Sequence, residues 1–194
     1  FRNLTFDMPT AAGPGLLNIS GDASCSYWEL DNCNVSGGRD VHAIVATSTE
    51  DLTGWKVRQC RFYSMAHTSA YCAIAVQAMF DMFVDGNEFV GGTGDEFDWF
   101  IGLFYGSCRN KVTNNRITTG GTAIALYDDN IAVTLTDPCE NNRIAGNVLS
   151  SSRSAAYNDN SSGPTLFEGN TVEACNATAA GSNGAIEVGY GIKI

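Results

Sequence analysis

Apolar and polar residues follow one six-residue pattern that recurs seven times along this 194-residue chain. The pattern is an apolar residue, two variable residues, Asn or Cys, one variable residue and a second apolar residue, and only the first copy departs from it, with Leu4. The copies start 23 to 32 residues apart and are FRNLTF (1–6), LDNCNV (30–35), VRQCRF (57–62), VDGNEF (84–89), VTNNRI (112–117), IAGNVL (144–149) and FEGNTV (167–172). A repeat of this length indicates a solenoid, a propeller or an array.

A second apolar segment recurs between the copies of this pattern. Its residues two apart are mostly apolar, as in Ile74 and Val76 or Ile124 and Leu126, which is typical of strands with one buried face. No stretch shows convincing helical periodicity. The segments are LLNIS (16–20), AIVAT (43–47), AIAVQ (73–77), FIGLF (100–104), AIALY (123–127), SAAYN (154–158) and AIEVG (185–189).

Each repeat therefore holds two or three short strands, which cannot bury their own apolar face and must stack on neighbouring repeats. The predicted fold is an all-β, right-handed parallel β-helix of about seven coils. A leucine-rich repeat is disfavoured because its consensus and helix are absent, and a propeller because each blade needs about four strands. The column of Asn87, Asn115, Asn147 and Asn170 supports coils, since Asn tolerates the left-handed conformation of a sharp turn and stacked side chains can hydrogen-bond along the axis.

Through this repeat and its Asn column the chain resembles the right-handed parallel β-helix, or pectin-lyase-like, family. That family includes pectate lyases, polygalacturonases, alginate epimerases and phage tailspikes. The resemblance covers nearly the whole chain and implies the fold, together with an expectation of polysaccharide binding or cleavage. Function belongs to sites placed on the fold, so the particular activity has to be argued from residues.

Composition and net charge limit the classes of partner that this chain is expected to bind. The formal net charge is −10 and the pI about 4.4, which makes nucleic acid and anionic membrane surfaces poor partners. Residues 1–194 are expected to form one β-helix domain. Because Phe1 already lies on a repeat strand, we expect either a segment of a longer protein or coils that stack end to end with other chains.

The seven cysteines and five glycosylation sequons favour an extracellular location, on a secreted protein or on a virion or cell surface. Cys108 and Cys139 precede neighbouring copies of the Asn position, and Cys33 and Cys60 share the Asn column, so each pair is a candidate disulfide. The alternative for the second pair is that two small buried thiols simply stack. The sequons start at Asn3, Asn18, Asn34, Asn160 and Asn176.

The outward positions of the second segment are the candidate site. Aromatic and amide residues suited to sugar rings are Gln77, Phe104, Tyr105, Tyr127 and Asn158. Carboxylates suited to acid–base work on a glycosidic bond are Asp98, Asp128 and Asp129, and Asp128–Asp129 resembles the Asp pair of polygalacturonases. Asp95 and Glu96 are candidate Ca²⁺ ligands, since an acidic protein needs a cation to bridge it to a uronate polymer. The alternative is a solvated acidic rim without catalysis.

Two functions remain open from the sequence. One is an extracellular or virion-surface module that binds a polysaccharide, with hydrolase or lyase activity undecided. The other is a non-catalytic rod of a fibre, spike or adhesin, which assembles through its ends and through a flat strip of small residues such as Ala75, Gly102 and Ala125. The alternative for that strip is that the chain's own loops cover it.

Overall fold

The structure is a computed structural model in which 23 β-strands, β1 to β23 in chain order, are described. The described residues are 1–8, 16–19, 25–37, 44–46, 51–65, 73–91, 99–119, 121–128, 138–151, 155–161, 163–173, 185–188 and 192–193. Among them, no helix combines the length and apolar character needed to cross a bilayer.

Three long parallel sheets, each of seven strands, build the molecule. Sheet A contains the first apolar position of the second to seventh copies, followed by a last strand, and its strands are β3 (Glu29–Asp31), β7 (Lys56–Arg58), β11 (Phe83–Asp85), β14 (Lys111–Thr113), β17 (Asn142–Ala145), β20 (Thr165–Glu168) and β23 (Ile192–Lys193). Sheet B contains the last apolar position, and its strands are β1 (Thr5–Met8), β4 (Asn34–Gly37), β8 (Arg61–Met65), β12 (Glu88–Gly91), β15 (Arg116–Thr119), β18 (Val148–Ser151) and β21 (Thr171–Glu173).

Sheet C is formed by the second segment of each repeat. Its strands are β2 (Leu17–Ile19), β5 (Ile44–Ala46), β9 (Ile74–Gln77), β13 (Trp99–Phe104), β16 (Thr122–Tyr127), β19 (Tyr157–Asn160) and β22 (Ile186–Val188). A short fourth sheet pairs β6 (Leu52–Thr53) with β10 (Met79–Phe80). Every strand pairs with the equivalent strand of the next repeat, so the predicted parallel β-helix is confirmed.

The core is the inside of this stack, where residues one repeat apart lie directly above one another. In sheet A, Val57, Val84 and Val112 are in register and fully buried. In sheet B, the Phe62 and Phe89 rings stack with centroids 4.8 Å apart. Each such side chain contributes about 1.5–3 kcal/mol by burial, so repetition of one apolar position supplies most of the driving force.

The predicted asparagine ladder forms at the corner between sheets A and B. The Asn115 Oδ1 accepts a hydrogen bond from the Asn87 backbone N at 3.0 Å, while its Nδ2 donates to the Val84 carbonyl at 3.0 Å. Asn87, Asn147 and Asn170 each repeat both bonds one coil apart, at 2.8–2.9 Å. The ladder thus satisfies buried backbone groups that the turn removes from the sheets.

The left-handed conformation, however, belongs to the residue before each ladder position. Asn114 has φ 56° and Gly146 has φ 65°, and the complete column is Asn3, Asn32, Gln59, Gly86, Asn114, Gly146 and Gly169. The prediction that the ladder asparagines themselves adopt this conformation was wrong. Two neighbouring residues therefore have different roles. The first adopts the left-handed conformation that turns the chain, and the second points inward and hydrogen-bonds the neighbouring coils.

A second, shorter ladder precedes sheet A and was not predicted. Asn110 Oδ1 accepts from the Met82 backbone N at 2.8 Å, and Asn142 Oδ1 accepts from the Asn110 backbone N at 3.0 Å. Arg109 and Asn141, immediately before these asparagines, again have positive φ. The same two-residue device therefore closes two corners of the coil.

Candidate functional site

The rim where sheet C strands end carries an in-register polar and aromatic column. Gln77, Phe104 and Tyr127 occupy one register position on three successive coils, and each is partly exposed. The Phe104 and Tyr127 ring centroids are 6.3 Å apart with planes at 29°. The column continues to Asn160, which is exposed and pairs with Tyr127. We name Gln77, Phe104, Tyr127 and Asn160 the rim column.

The prediction that Asn158 continues this column was wrong. Asn158 pairs with Ala125, two residues earlier on the strand, because the loop before β19 shifts the register relative to simple counting. Tyr105, also predicted to bind substrate, is only 7% exposed and has φ 39°. Its ring lies 6.2 Å from that of Phe104, so the structure places it at the corner beneath the column rather than on the open surface.

The predicted carboxylates are only partly described. Asp98 and Asp129, and the candidate Ca²⁺ ligands Asp95 and Glu96, lie outside the described residues. Asp128 follows the rim column, is half-buried, and accepts a hydrogen bond from the Cys139 backbone N at 2.7 Å. This bond ties the returning chain to sheet C. Within the described ranges, no group of three or more His, Cys, Asp or Glu side chains is arranged to hold a metal ion.

A buried polar cluster, which was not predicted, lies inside the coil next to the rim. Asp159 is fully buried at the inward position that Leu126 occupies one coil earlier. Its carboxylate accepts from the Tyr157 hydroxyl at 2.7 Å, the Ser161 backbone N at 3.0 Å and the Ser161 hydroxyl at 2.5 Å. Burial and the Asp159 charge raise the pKa of Tyr157 well above its ordinary value. Three donors compensate the buried carboxylate, so this cluster supports the rim structurally.

Neither predicted disulfide is present, because the four cysteines are all free thiols. Lys111 pairs with Arg143, an offset of 32 residues, so the coil partner of Cys108 is Glu140 and that of Cys139 is Ser107. The two cysteines are therefore one residue out of register, and each thiol approaches a backbone carbonyl instead: Cys108 Sγ lies 3.4 Å from the Pro138 oxygen and Cys139 Sγ lies 3.4 Å from the Tyr127 oxygen. Cys33 and Cys60 are in equivalent positions but stack as buried thiols, with Cys33 N donating to Cys60 Sγ at 3.4 Å. The stacking alternative for this pair is therefore the correct one.

Sheet A carries a groove of about 680 Å³ on its outer surface that sequence analysis missed. Phe83, Lys111 and Arg143 line one side, each at the position immediately before the first apolar residue of its repeat. The groove is also lined by Asp85, Thr113 and Glu168. Glu168 forms an ion pair with Arg143 at an N···O distance of 2.7 Å. The residue before each repeat motif was the available signal, and it includes Lys56, Phe83, Lys111 and Arg143 in successive copies.

Comparison with known proteins decides the family. A family model described as a right-handed beta helix region matches residues 17–194. The chain belongs to the right-handed β-helix family. The resemblance drawn from the repeat and the Asn column is thereby confirmed. No curated protein and no solved structure gives a significant match, so the family establishes the fold of this β-helix and not its ligand.

The flat strip of this β-helix is covered within the single chain. Ala125 is fully buried, Ala75 is 7% exposed and Gly102 is buried, although all three lie at outward positions of sheet C. Of the two hypotheses for the strip, cover by the chain itself fits these burial values, whereas packing against a sister rod requires an open strip.

The described sequons of the β-helix are at the surface. Asn3, Asn34 and Asn160 are exposed, and the Asn3 Oδ1 accepts a hydrogen bond from Asn32 Nδ2 at 2.6 Å. Asn18 lies on β2, and Asn176 is outside the described residues. Glycosylation at these five positions stays a prediction.

Proposed function

We propose that this β-helix is an extracellular module that binds a polysaccharide along the rim column of sheet C. The supporting observation is the register of Gln77, Phe104, Tyr127 and Asn160, which places two rings and two amides in one line parallel to the coil axis. Aromatic faces pack against the apolar faces of sugar rings, and amides bond their hydroxyls. Because each coil adds about 4.8 Å, the contacts repeat along the axis as the rings of a linear glycan do.

Binding tests the proposal directly. A panel of neutral and acidic polysaccharides is titrated by calorimetry into the wild-type chain and into Phe104→Ala and Tyr127→Ala. Each substitution is expected to weaken binding about tenfold, which corresponds to roughly 1.4 kcal/mol for one lost ring. Tyr63→Ala is the matched control, since Tyr63 is a partly exposed tyrosine on sheet B. Equal weakening by the control, or no binding by any polysaccharide, contradicts the proposal.

Cleavage of the bound polymer is a finer question within the same proposal. Asp128 directly follows Tyr127 of the column and is partly exposed, unlike the fully buried Asp159. Asp98 and Asp129 are its predicted partners. Release of reducing ends without an unsaturated product indicates hydrolysis, whereas release of reducing ends together with absorbance of an unsaturated uronate indicates a lyase. Asp128→Asn and Asp98→Asn are each expected to abolish such activity while the rim column still binds. Unchanged rates in either variant remove that carboxylate from catalysis.

Extracellular location is supported by the surface position of three sequons. Expression in a secreting eukaryotic cell, followed by mass spectrometry with and without removal of N-linked glycans, tests it. Occupancy at Asn3 or Asn34 supports passage through a secretory pathway, whereas a glycan on Asn160 would cover the rim column and contradict its role in binding. Unmodified peptides at all five sequons argue against it.

A structural rod is the second candidate, and one observation favours it. Apolar side chains are exposed near both ends of the stack, with Phe1 63% and Leu4 43% exposed at one end and Ile186 43% and Val188 46% at the other. Strand edges and apolar surface of this kind are suited to stacking on another coil. Sedimentation over a wide concentration range tests the idea, and a monomer at every concentration contradicts it.

A further inference from the structure

The groove on sheet A has two walls of opposite charge. Its first wall is the register column of Phe83, Lys111 and Arg143. Its second wall is the column two residues further along each strand, formed by Asp85, Thr113, Ala145 and Glu168. Across four successive coils, the first wall thus holds two cations and the second holds two carboxylates. The ionisable residues that line the groove therefore carry no net charge.

The second wall is low between its two carboxylates. Thr113 is 8% and Ala145 is 7% exposed, so neither side chain rises far above the sheet. Gly146 and Gly169 continue this floor into the turn, where a side chain on Gly169 would meet only the backbone N of Gly146, at 4.0 Å. The volume of about 680 Å³ is in the range of small-ligand sites, and its centre leaves room for a bulky group.

The spacing of the four charges matches the side chains of an extended peptide. Coils are about 4.8 Å apart, so Asp85 and Glu168, which are three coils apart, are separated by roughly 14 Å along the coil axis. An extended chain advances about 3.4 Å per residue and alternates its side chains, so its first and fifth side chains share one side and are also roughly 14 Å apart. Lys111 and Arg143 lie roughly 5 and 10 Å along the same axis, near the second and fourth side chains, at roughly 3 and 10 Å on the other side.

The charged groups of the groove can turn to a ligand at small cost. Arg143 and Glu168 pair with each other at 2.7 Å, but their side chains are 49% and 44% exposed, and ion pairs of this kind contribute little to stability. Asp85 Oδ1 accepts from two neutral donors, Thr113 Oγ1 at 2.6 Å and Asn114 Nδ2 at 2.9 Å. These bonds orient the Asp85 carboxylate without neutralising its charge.

We infer that the groove on sheet A binds an extended segment of a partner protein in which the residues run basic, acidic, any residue, acidic, basic. The acidic side chains bond Lys111 and Arg143, and the basic side chains bond Asp85 and Glu168. One basic side chain also approaches the half-buried ring of Phe83, whose face attracts a cation. The central side chain lies over the low part of the second wall. This order reads the same in both directions, so the charges do not fix the direction of the segment.

A sugar polymer fits the two walls less well. An acidic polymer repeats one sign of charge along its length and is repelled where it meets Asp85 and Glu168. A neutral polymer leaves all four charged groups of the groove without an oppositely charged partner. The groove lies on a different sheet from the rim column, so this inference does not depend on the function proposed there.

The order of charges is tested with two peptides of identical composition. Fluorescence anisotropy measures the affinity of the wild-type chain for a labelled, end-capped Lys-Glu-Tyr-Glu-Lys. The matched control is Glu-Lys-Tyr-Lys-Glu, which keeps the zero net charge and inverts only the order. We expect the control to bind at least tenfold more weakly, because every pair becomes a like-charge contact. Equal affinity for the two peptides, or no binding of the first at about 1 mM, overturns the inference.

Charge reversal in the protein tests which side chains the peptide meets. Lys111→Glu is expected to weaken binding of Lys-Glu-Tyr-Glu-Lys about fivefold and to strengthen binding of Lys-Lys-Tyr-Glu-Lys relative to wild type. Arg116→Glu is the matched control, because it makes the same change in net charge at an exposed position of sheet B. It shows what overall charge alone does, and effects as large as those of Lys111→Glu overturn the inference.

A competition experiment separates peptide from sugar. Unlabelled Lys-Glu-Tyr-Glu-Lys is expected to displace the labelled peptide, whereas an oligogalacturonate hexamer and a neutral galactose hexamer are not. Displacement by either sugar at the same concentration assigns the groove to sugars and overturns the inference. Polysaccharide affinity measured in Lys111→Glu reports on the rim column alone, so failure of one site is distinguished from failure of the other.

Discussion

The ladder between sheets A and B has Leu4 in the first coil, thiols in the second and third coils, and amides in the four later ones. Cys60 Sγ accepts from the Cys33 backbone N at 3.4 Å and lies 3.5 Å from the Leu30 carbonyl. Asn87, one coil later, makes the equivalent two bonds at 2.8 and 2.9 Å. In both cases the side chain contacts a backbone N 27 residues away and a backbone carbonyl 30 residues away.

At this position the fold therefore requires a small side chain that both donates and accepts a hydrogen bond. Asparagine forms stronger hydrogen bonds there than cysteine does. Thiols are weak donors and acceptors, whereas an amide makes full-strength bonds in both directions. The asparagines also bond each other, as when Asn87 Nδ2 donates to Asn115 Oδ1 at 2.9 Å. The two halves should therefore differ in local stability although their backbone geometry is alike.

The largest expected effect is in the amide half. Asn115→Ala removes the acceptor of the buried Asn87 backbone N and the Nδ2 donor to Val84, and leaves a small void. Unsatisfied buried groups cost about 1–3 kcal/mol each, so we expect the free energy of unfolding to fall by about 3 kcal/mol. Urea unfolding followed by circular dichroism measures it. Thr118→Ala, at an exposed position of sheet B, is the control and should change the midpoint little.

The thiol half can be converted into the amide half at one position. Cys60→Asn should form full-strength bonds to the Cys33 backbone N and the Leu30 carbonyl, and raise the free energy of unfolding by about 1 kcal/mol. Cys60→Ala removes both weak contacts and should lower it by about 1–2 kcal/mol. Urea midpoints of the two variants and the wild type provide the test. If Cys60→Asn is less stable than Cys60→Ala, the two side chains do not have equivalent roles.

The repeat could be found from sequence because stacking copies one chemical environment seven times. Leu30, Val57, Val84, Val112 and Ile144 all face the same interior, so each needs an apolar side chain, and the pattern survives changes in loop length. The turn was harder to predict, since Asn serves both in left-handed turns and in ladders. The Asn and Gly mixture at positions 3, 32, 86, 114, 146 and 169 marks the turn residue, one place before the ladder.

Register after insertions could not be counted from sequence. Between the same two coils the offset is 32 residues for Lys111 and Arg143 but 33 for Tyr127 and Asn160, because loops of different length separate the sheets. An error of one residue suggested the Cys108–Cys139 disulfide, and an error of two put Asn158 in the rim column. The groove on sheet A was missed for another reason: its residues differ in type, and only their common register position relates Phe83 to Lys111 and Arg143.

The pH dependence of stability should also differ between the cysteine part and the asparagine part of the ladder. Burial raises the pKa of the Cys60 thiol to about 11, against 9.0 for a free thiol. Between these values the unfolded chain loses the proton while the folded chain keeps it, so the unfolded state binds fewer protons and stability falls as pH rises. Urea midpoints at about pH 8 and pH 10.5 should differ less in Cys60→Asn than in the wild type. An identical slope excludes Cys60 as a contributor.

The smallest expected effect is on thiol reactivity rather than on stability. Its measurement tests whether the cysteines are free thiols as well as buried. Cys33, Cys60 and Cys139 are at most 2% exposed, and burial raises the pKa of Cys139 to about 12, so the reactive thiolate is scarce and inaccessible in the folded chain. Of the five described thiols, we expect iodoacetamide at neutral pH to modify the half-buried Cys25 first. Unfolding in urea without reductant should then expose all five described thiols to alkylation. A Cys108 or Cys139 peptide that reacts only after reduction would restore the disulfide, and would require a register in which these side chains meet.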